Sequence, residues 1–294
     1  MLLLGAAKMG KSWFLTSVGK TALGMRKRVL EVTLEMSAEE KAQRYYHSIF
    51  SLSKRQTEIE VATMKFEYDR SKKDEHGNPE KYLTGFVQRK VVPEFTFQDP
   101  DLRMELEARV EHFGERFNNM IIKQFPTRSL TVDGLRGYMD NLEISEGFIP
   151  DILLLDYVGI MKTDPKNPRI SLGHVVQDLR GLCVERNIAG VTVHQLSKAG
   201  ALAMVAGGAH AAEDWSMIGT ADQILAYSST DAEHRAGLGR LYVDRARSEQ
   251  DKFGCLLTQS YALGQFCIDS VFLPPEYWDI MPKEKTSESE EDDD

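Results

Sequence analysis

Along the first fifty residues, short apolar runs alternate with segments of helical spacing. Met1 to Leu4 is an apolar run that passes straight into a glycine-containing loop, and Lys11 to about Leu23 reads as helix. Strand, loop and helix in that order open an α/β domain. Arg28 to Leu34 alternates and is rich in β-branched residues, which predicts a second strand. Ser37-Ala38-Glu39-Glu40 has the form of a capping box and opens a helix running to about Leu52.

Between about Ser53 and Gln124 this rhythm breaks. Lys65 to Val92 is polar, carries the turn signal His76-Gly77-Asn78-Pro79, and has strand-like flanks at Ala62 to Tyr68 and Tyr82 to Val92, so a β-hairpin insertion is expected. An amphipathic helix follows from about Asp101 to Asn118, and Met120 to Lys123 predicts a short buried strand returning to the sheet. From Leu130 the alternation resumes: a helix to about Glu146, a strand at Asp151 to Asp156, a helix at Ser171 to Arg186 and a strand at Ile188 to Val193. Ala221 to Tyr227, Gly239 to Ala246, Phe253 to Gln259 and Gln265 to Ile268 have strand character with no long helix between them, so the sheet is expected to end in antiparallel strands. The last dozen residues, KEKTSESEEDDD, are of low complexity and predict a disordered acidic tail. The expected organisation is one α/β domain over 1–282, interrupted by an insertion at 53–124, with the tail at 283–294.

Composition narrows the class. A chain of 294 residues with 42% hydrophobic and 28% charged side chains can bury a large core, which excludes a minimal module and disorder throughout. No apolar run approaches the roughly 20 residues of a bilayer span, so no membrane partner is expected. Cys183, Cys255 and Cys267 include no C-x-x-C spacing, and neither a disulfide framework nor a zinc site is indicated. The net charge of −9 includes −5 between Lys283 and Asp294. A nucleic-acid binder would therefore use a local basic patch rather than a basic body.

The strongest local signal is Gly5-Ala6-Ala7-Lys8-Met9-Gly10-Lys11-Ser12, which matches G-x-x-x-x-G-K-[ST] between a predicted strand and a predicted helix. Glycines let backbone N–H groups close around phosphates at a helix N-terminus; Lys11 reaches the β and γ phosphates of a nucleotide, and the Ser12 hydroxyl can ligate Mg²⁺. Asp156 ends the run DILLLD, the way a buried strand delivers a carboxylate to the edge where phosphate and magnesium sit; the alternative is a strand-end cap. Glu35, just past the second strand, could deprotonate a water aimed at the γ-phosphate, or be a loop acid near the cap at Ser37. Gln195 ends another strand, where an amide can hydrogen-bond a γ-phosphate, and His194 beside it reads as structural. Arg245 and Arg247 follow a strand and offer planar contacts to a phosphate, although charged strand edges also guard against aggregation.

Taken in order, these residues resemble the C-terminal ATPase domain of the DnaB-type replicative helicases, a RecA-like group, and especially its phage-encoded members. The family's G-x-x-x-M-G-K-[ST] looks like Gly5 to Ser12 with Met9 included, and its S-L-E-M-S looks like Thr33 to Ser37. Its D-Y-L-x-L-M looks like Asp156 to Met161, its S-Q-L like His194 to Leu196, its E-x-x-A-D like the region around Thr220 to Asp222, and its K-x-R like Arg245 to Arg247. The resemblance implies a RecA-like P-loop core with a mostly parallel sheet, a homo-oligomeric ring, usually of six, and ATP with Mg²⁺ bound between subunits. Glu35 would be the catalytic glutamate, and Arg247 and Arg245 would reach the neighbour's phosphates. Single-stranded DNA would be held by Thr163 to Ile170, with Lys166 and Arg169, and by Ser197 to Asp214, with Lys198.

The sequence also departs from the family. Only four residues precede Gly5, so the family's N-terminal domain and linker helix have no counterpart in it. Arg245 replaces the lysine of the finger pair, His194 stands where serine is usual, and the 53–124 insertion has no place in the cellular enzymes. The acidic tail is similar to those of phage primase-helicases, which implies a contact with a polymerase, primase or loader; a solubility tail is the plainer reading. The expected activity is ATP-driven unwinding during replication in the cytoplasm of a bacterial or phage-infected cell. Two other readings stay open: a recombination or regulatory ATPase that does not unwind, and a nucleotide-binding scaffold.

Overall fold

The computed structural model describes residues 1–7, 9–53, 58–73, 77–92, 103–164, 166–196 and 215–280. Its elements run β1 (Leu2–Gly5), α1 (Lys11–Gly24), β2 (Val29–Thr33), α2 (Ala38–Phe50), β3 (Ile59–Lys73), β4 (Pro79–Val91), α3 (Arg103–Phe117) and β5 (Met120–Gln124). There follow α4 (Val132–Glu146), β6 (Ile152–Asp156), a single 3₁₀ turn, α5 (Pro168–Glu185), β7 (Ala189–Gln195), α6 (Trp215–Thr220), β8 (Gln223–Ser228) and α7 (Asp231–Arg235). The described elements end with β9 (Leu238–Ala246), β10 (Phe253–Ser260), β11 (Gln265–Phe272) and α8 (Tyr277–Ile280).

Nine strands form one sheet in the order β11-β10-β9-β8-β1-β7-β6-β2-β5. From β8 to β5 every pairing is parallel, and from β8 to β11 every pairing is antiparallel. This matches the expected parallel core with an antiparallel C-terminal end. The parallel strands are apolar on both faces because both are covered. Leu2, Leu4, Leu153 and Leu155 join Leu135, Met139, Val175 and Leu179 of α4 and α5 in one cluster. Leu3, Leu154 and Val193 join Phe14, Leu15 and Leu23 of α1 in the other. The alternation of Leu2, Leu3 and Leu4 between the two clusters is the two-residue period of a strand.

Several elements differ from expectation, β11 among them, which runs to Phe272 rather than Ile268 because its outer half still pairs with β10. The hairpin strands are longer, because Tyr68, Asp69 and Lys73 still find cross-strand partners at Lys81, Glu80 and Pro79 although little apolar surface is buried there. Nearer its base, Met64 and Leu83 pack with Leu256 and Tyr277. β5 is half-buried rather than buried, since among the described residues it is the sheet's last strand and pairs with β2 alone, from Val29↔Met120 to Thr33↔Gln124. α5 starts at Pro168 rather than Ser171: proline at the first helical position has its φ preset and no N–H to satisfy. The end of the Thr163–Ile170 segment is thus helical. No described helix is long and apolar enough to cross a membrane.

Candidate nucleotide site

The Gly5–Ser12 loop leaves the C-terminal end of β1, at the sheet edge where open α/β folds place their ligands. Gly10 caps α1 with φ 95°, a left-handed conformation that glycine adopts without strain. A Cβ there would come 2.2 Å from the Tyr261 hydroxyl oxygen, so the loop turns directly beneath that phenol. The Gly10 carbonyl accepts from the amides of Trp13 (2.9 Å) and Phe14 (3.0 Å), which starts the helix. Lys11 folds back over the loop, its Nζ donating to the carbonyls of Ala6 (2.7 Å) and Gly5 (3.1 Å). Burial lowers the pKa of this ammonium, and the charges of Asp156 and Glu35 oppose that shift, which puts both carboxylates within electrostatic reach of Lys11. Ser12 is half-buried in the first turn of α1. Lys8 lies outside the described residues.

The neighbouring strands bring their candidates to the same edge. Gln195 is the register partner of Gly5, and the Leu196 amide donates to the Gly5 carbonyl at 3.1 Å. Glu35 is exposed on the loop after β2. Asp156 ends β6 beside Thr33 and is buried. Its Oδ2 accepts a hydrogen bond from Lys41 Nζ at 2.6 Å, a partner that reading the sequence missed. The same Nζ stands 2.8 Å from Glu31 Oε1, close for an ion pair although poorly aligned as a hydrogen bond. The Tyr45 hydroxyl donates to Glu31 Oε2. Burial alone would lower the Lys41 pKa, but the two carboxylates outweigh it and the net shift is upward.

Other missed residues crowd the same edge. Arg44 lies with its guanidinium carbon 4.9 Å from the centre of the Trp13 ring, and Trp13 stacks on Tyr261 at 6.1 Å. Burial lowers the Arg44 pKa against the pull of Asp156, Glu31, Glu40 and Glu35. One signal was available for the buried network. Glu31 interrupts an otherwise apolar strand, and Lys41 and Tyr45 are four apart on one helix face.

Arg245 and Arg247 are not brought to this edge. In β8, Leu2 pairs with Ile224 and Gly5 with Tyr227, so Asp222 lies beyond the N-terminal end of β1. Arg247 Nη1 donates to Asp222 Oδ1 at 2.7 Å, and Arg180 forks the same carboxylate. The Arg180 bond holds the Asp222 carboxyl below its ordinary pKa. Arg245 Nη1 donates to the Ile218 carbonyl at 3.0 Å. Lys166 is exposed, whereas the Arg169 side chain, Lys198 with the rest of 197–214, and the 283–294 tail lie outside the described residues.

The donor set suits a nucleotide with magnesium. The first turn of α1 holds no acid to repel phosphate. Among the described residues no three His, Cys, Asp or Glu side chains gather into a metal cage. A cation here would rest on Ser12, Asp156 and the ligand's own phosphates, the sparse protein coordination that Mg²⁺ favours.

No protein-family model matches the chain. It is 26% identical over 134 residues to the DnaB-like replicative helicase of Enterobacteria phage T4, a match covering 43% of this chain and 28% of that protein. Two solved structures superpose with a TM-score of 0.64 at 14% identity, each over 90% of this chain. One is a DnaB-like replicative helicase described with its interactions with primase, of which 56% is covered; the other is a separately solved ATPase domain, of which 83% is covered. The chain thus matches only part of the length of the helicases it resembles. Its fold is that of the RecA-like ATPase domains of the DnaB type.

Proposed function

We propose that this DnaB-like chain is the motor domain of a replicative helicase, hydrolysing ATP between subunits to move on single-stranded DNA and open the duplex. The observation that carries the reading is the convergence of Gly5–Ser12, Glu35, Asp156 and Gln195 at one sheet edge while Arg247 stands at the other. In this reading Arg247, which lies at the opposite sheet edge from Gly5–Ser12, serves the nucleotide of an adjacent copy, and the chain works as a homo-oligomer, a hexameric ring.

Lys11 releases the Gly5 and Ala6 carbonyls for the β and γ phosphates, and Ser12 and Asp156 would hold Mg²⁺. When bound, the cation neutralises the phosphate charge. Glu35 takes the proton of the attacking water, the Gln195 amide meets the γ-phosphate, and Arg247 with Arg245 from the next subunit meets the charge that develops on transfer. In the same reading 1–282 is the ATPase domain and 53–124 its insertion. Lys166, Arg169 and Lys198 are the DNA-binding residues of this reading, and the tail is its contact for a polymerase, primase or loader in the cytoplasm of a bacterial or phage-infected cell.

The test is ATP turnover with Lys11→Ala as the blank, followed by strand separation on a forked duplex. Turnover stimulated by single-stranded DNA together with unwinding supports the motor. Stimulated turnover without unwinding points instead to a recombination or regulatory ATPase.

A further inference from the structure

Lys41 is fully buried, and its ammonium sits between two carboxylates, Glu31 and Asp156, that are also closed to solvent. The Tyr45 hydroxyl is a further donor to Glu31. α1 packs directly on this group: a Cβ at Gly19 would come 2.0 Å from the Tyr45 hydroxyl oxygen. The network therefore joins the helix behind the P-loop, the strand that leads to Glu35, the helix that follows Glu35, and the strand that ends in Asp156.

Three buried charges are a costly way to fill a core, since apolar residues of similar volume often do so with equal or greater stability. What the charges supply is orientation. With Oδ2 bonded to Lys41, Oδ1 is the oxygen left for a cation or for a water bound to it. Lys41 is also one helical turn from the Ser37 cap, its amide donating to the Ser37 carbonyl at 3.1 Å, so the same bond fixes the Glu35 loop relative to Asp156.

We propose that Lys41 is a positioning residue for Asp156, held in place by Glu31 and Tyr45, and that it sets how well the site takes the cation accompanying the nucleotide. This rests on the reading of Asp156 as the metal carboxylate. Outer partners of metal ligands act in this way in general, their loss costing on the order of 10- to 100-fold in metal affinity or activity.

The experiment compares the wild-type chain with Glu31→Gln/Lys41→Met, which removes one charge of each sign, and with Glu31→Gln, which leaves Lys41 on Asp156. Each is read by its unfolding temperature, its affinity for a fluorescent ATP analogue with and without Mg²⁺, and its turnover. The double variant is expected to fold and to bind metal-free nucleotide like the wild type, but to lose about tenfold of the Mg²⁺-dependent gain in affinity and about tenfold in kcat. Glu31→Gln keeps an amide oxygen in reach of Lys41, so Lys41 stays on Asp156 and the losses of Mg²⁺ gain and of kcat are expected to be smaller than in the double variant, whatever its stability. A folded double variant with the wild-type Mg²⁺ gain overturns the proposal, as do losses that merely track stability in both variants. If the double variant does not fold, Glu31→Gln/Lys41→Gln, which also removes one charge of each sign and keeps polar groups in the pocket, is read the same way: a reduced Mg²⁺ gain supports the proposal and an unchanged or larger one overturns it. A wild-type chain showing neither Mg²⁺ gain nor turnover removes the nucleotide reading itself, and this proposal with it.

Discussion

Arg247 Nη1 donates to Asp222 Oδ1 at 2.7 Å, at the sheet edge opposite the one that carries Gly5–Ser12. Arg247 is thus paired within its own chain and lies at the other edge from Gly5–Ser12. Arg247→Ala is expected to abolish turnover while leaving nucleotide affinity nearly unchanged. Mixed with Glu35→Gln protein it should regain part of its activity, because some interfaces then combine an intact Glu35 with an intact Arg247. Turnover of mixtures at fixed total protein checks this; no recovery in oligomers shown to be mixed contradicts an arginine acting in trans.

Lys11 and Glu35 separate binding from chemistry. Lys11→Ala should weaken nucleotide binding and abolish turnover, whereas Glu35→Gln should bind as the wild type does and lose about 100-fold or more in kcat. Fluorescent-nucleotide titration and single-turnover hydrolysis measure the two effects. Equal losses of affinity in both variants would remove Glu35 from the role of base.

Gly10 is constrained twice, by its φ of 95° and by the Tyr261 hydroxyl. Gly10→Ala should cost about 1–2 kcal/mol for the left-handed backbone, with the clash in addition. Tyr261→Ala costs stability of its own, because Tyr261 stacks on Trp13; in that background, however, Gly10→Ala meets no phenol and should lower the unfolding temperature less than it does in the wild type. An equal drop in the two backgrounds would remove the clash from the account, and no drop in the Tyr261→Ala background would mean the backbone conformation is not costly.

How much of this was legible follows from the range of each interaction. The strand-loop-helix around Gly5–Ser12 is local, and so is the Ser37 cap, whose side chain accepts from the Glu40 amide at 3.1 Å. Both could be read from neighbouring residues. Lys41 meets Asp156 across 115 positions, and Arg247 meets Asp222 across a strand pairing, so neither contact has a local signature. The outer hairpin was underestimated because Asp69–Lys73 pairs through its backbone without an apolar face to announce it.

Buried phenols give the fold an alkaline limit. The Tyr277 hydroxyl donates to Glu233 Oε1 at 2.6 Å; burial first and that bond second raise its pKa. Burial likewise raises that of Tyr227. Both keep their protons in the folded state above pH ~10, where the unfolded chain loses them. The folded state then binds more protons, so stability falls as pH rises past ~10 and is untouched by these groups below ~9. Unfolding temperatures from pH 8 to 11 should show that drop, and Tyr277→Phe should lessen it. An identical drop in the variant would contradict the assignment.

The most direct measurement is ATP turnover by the purified chain across a range of protein concentrations, with and without single-stranded DNA, beside Lys11→Ala. A subunit-shared site predicts turnover that rises more steeply than protein concentration, is stimulated by DNA and is absent from the variant. Turnover strictly proportional to concentration and indifferent to DNA, or nucleotide binding no different in Lys11→Ala, would contradict it.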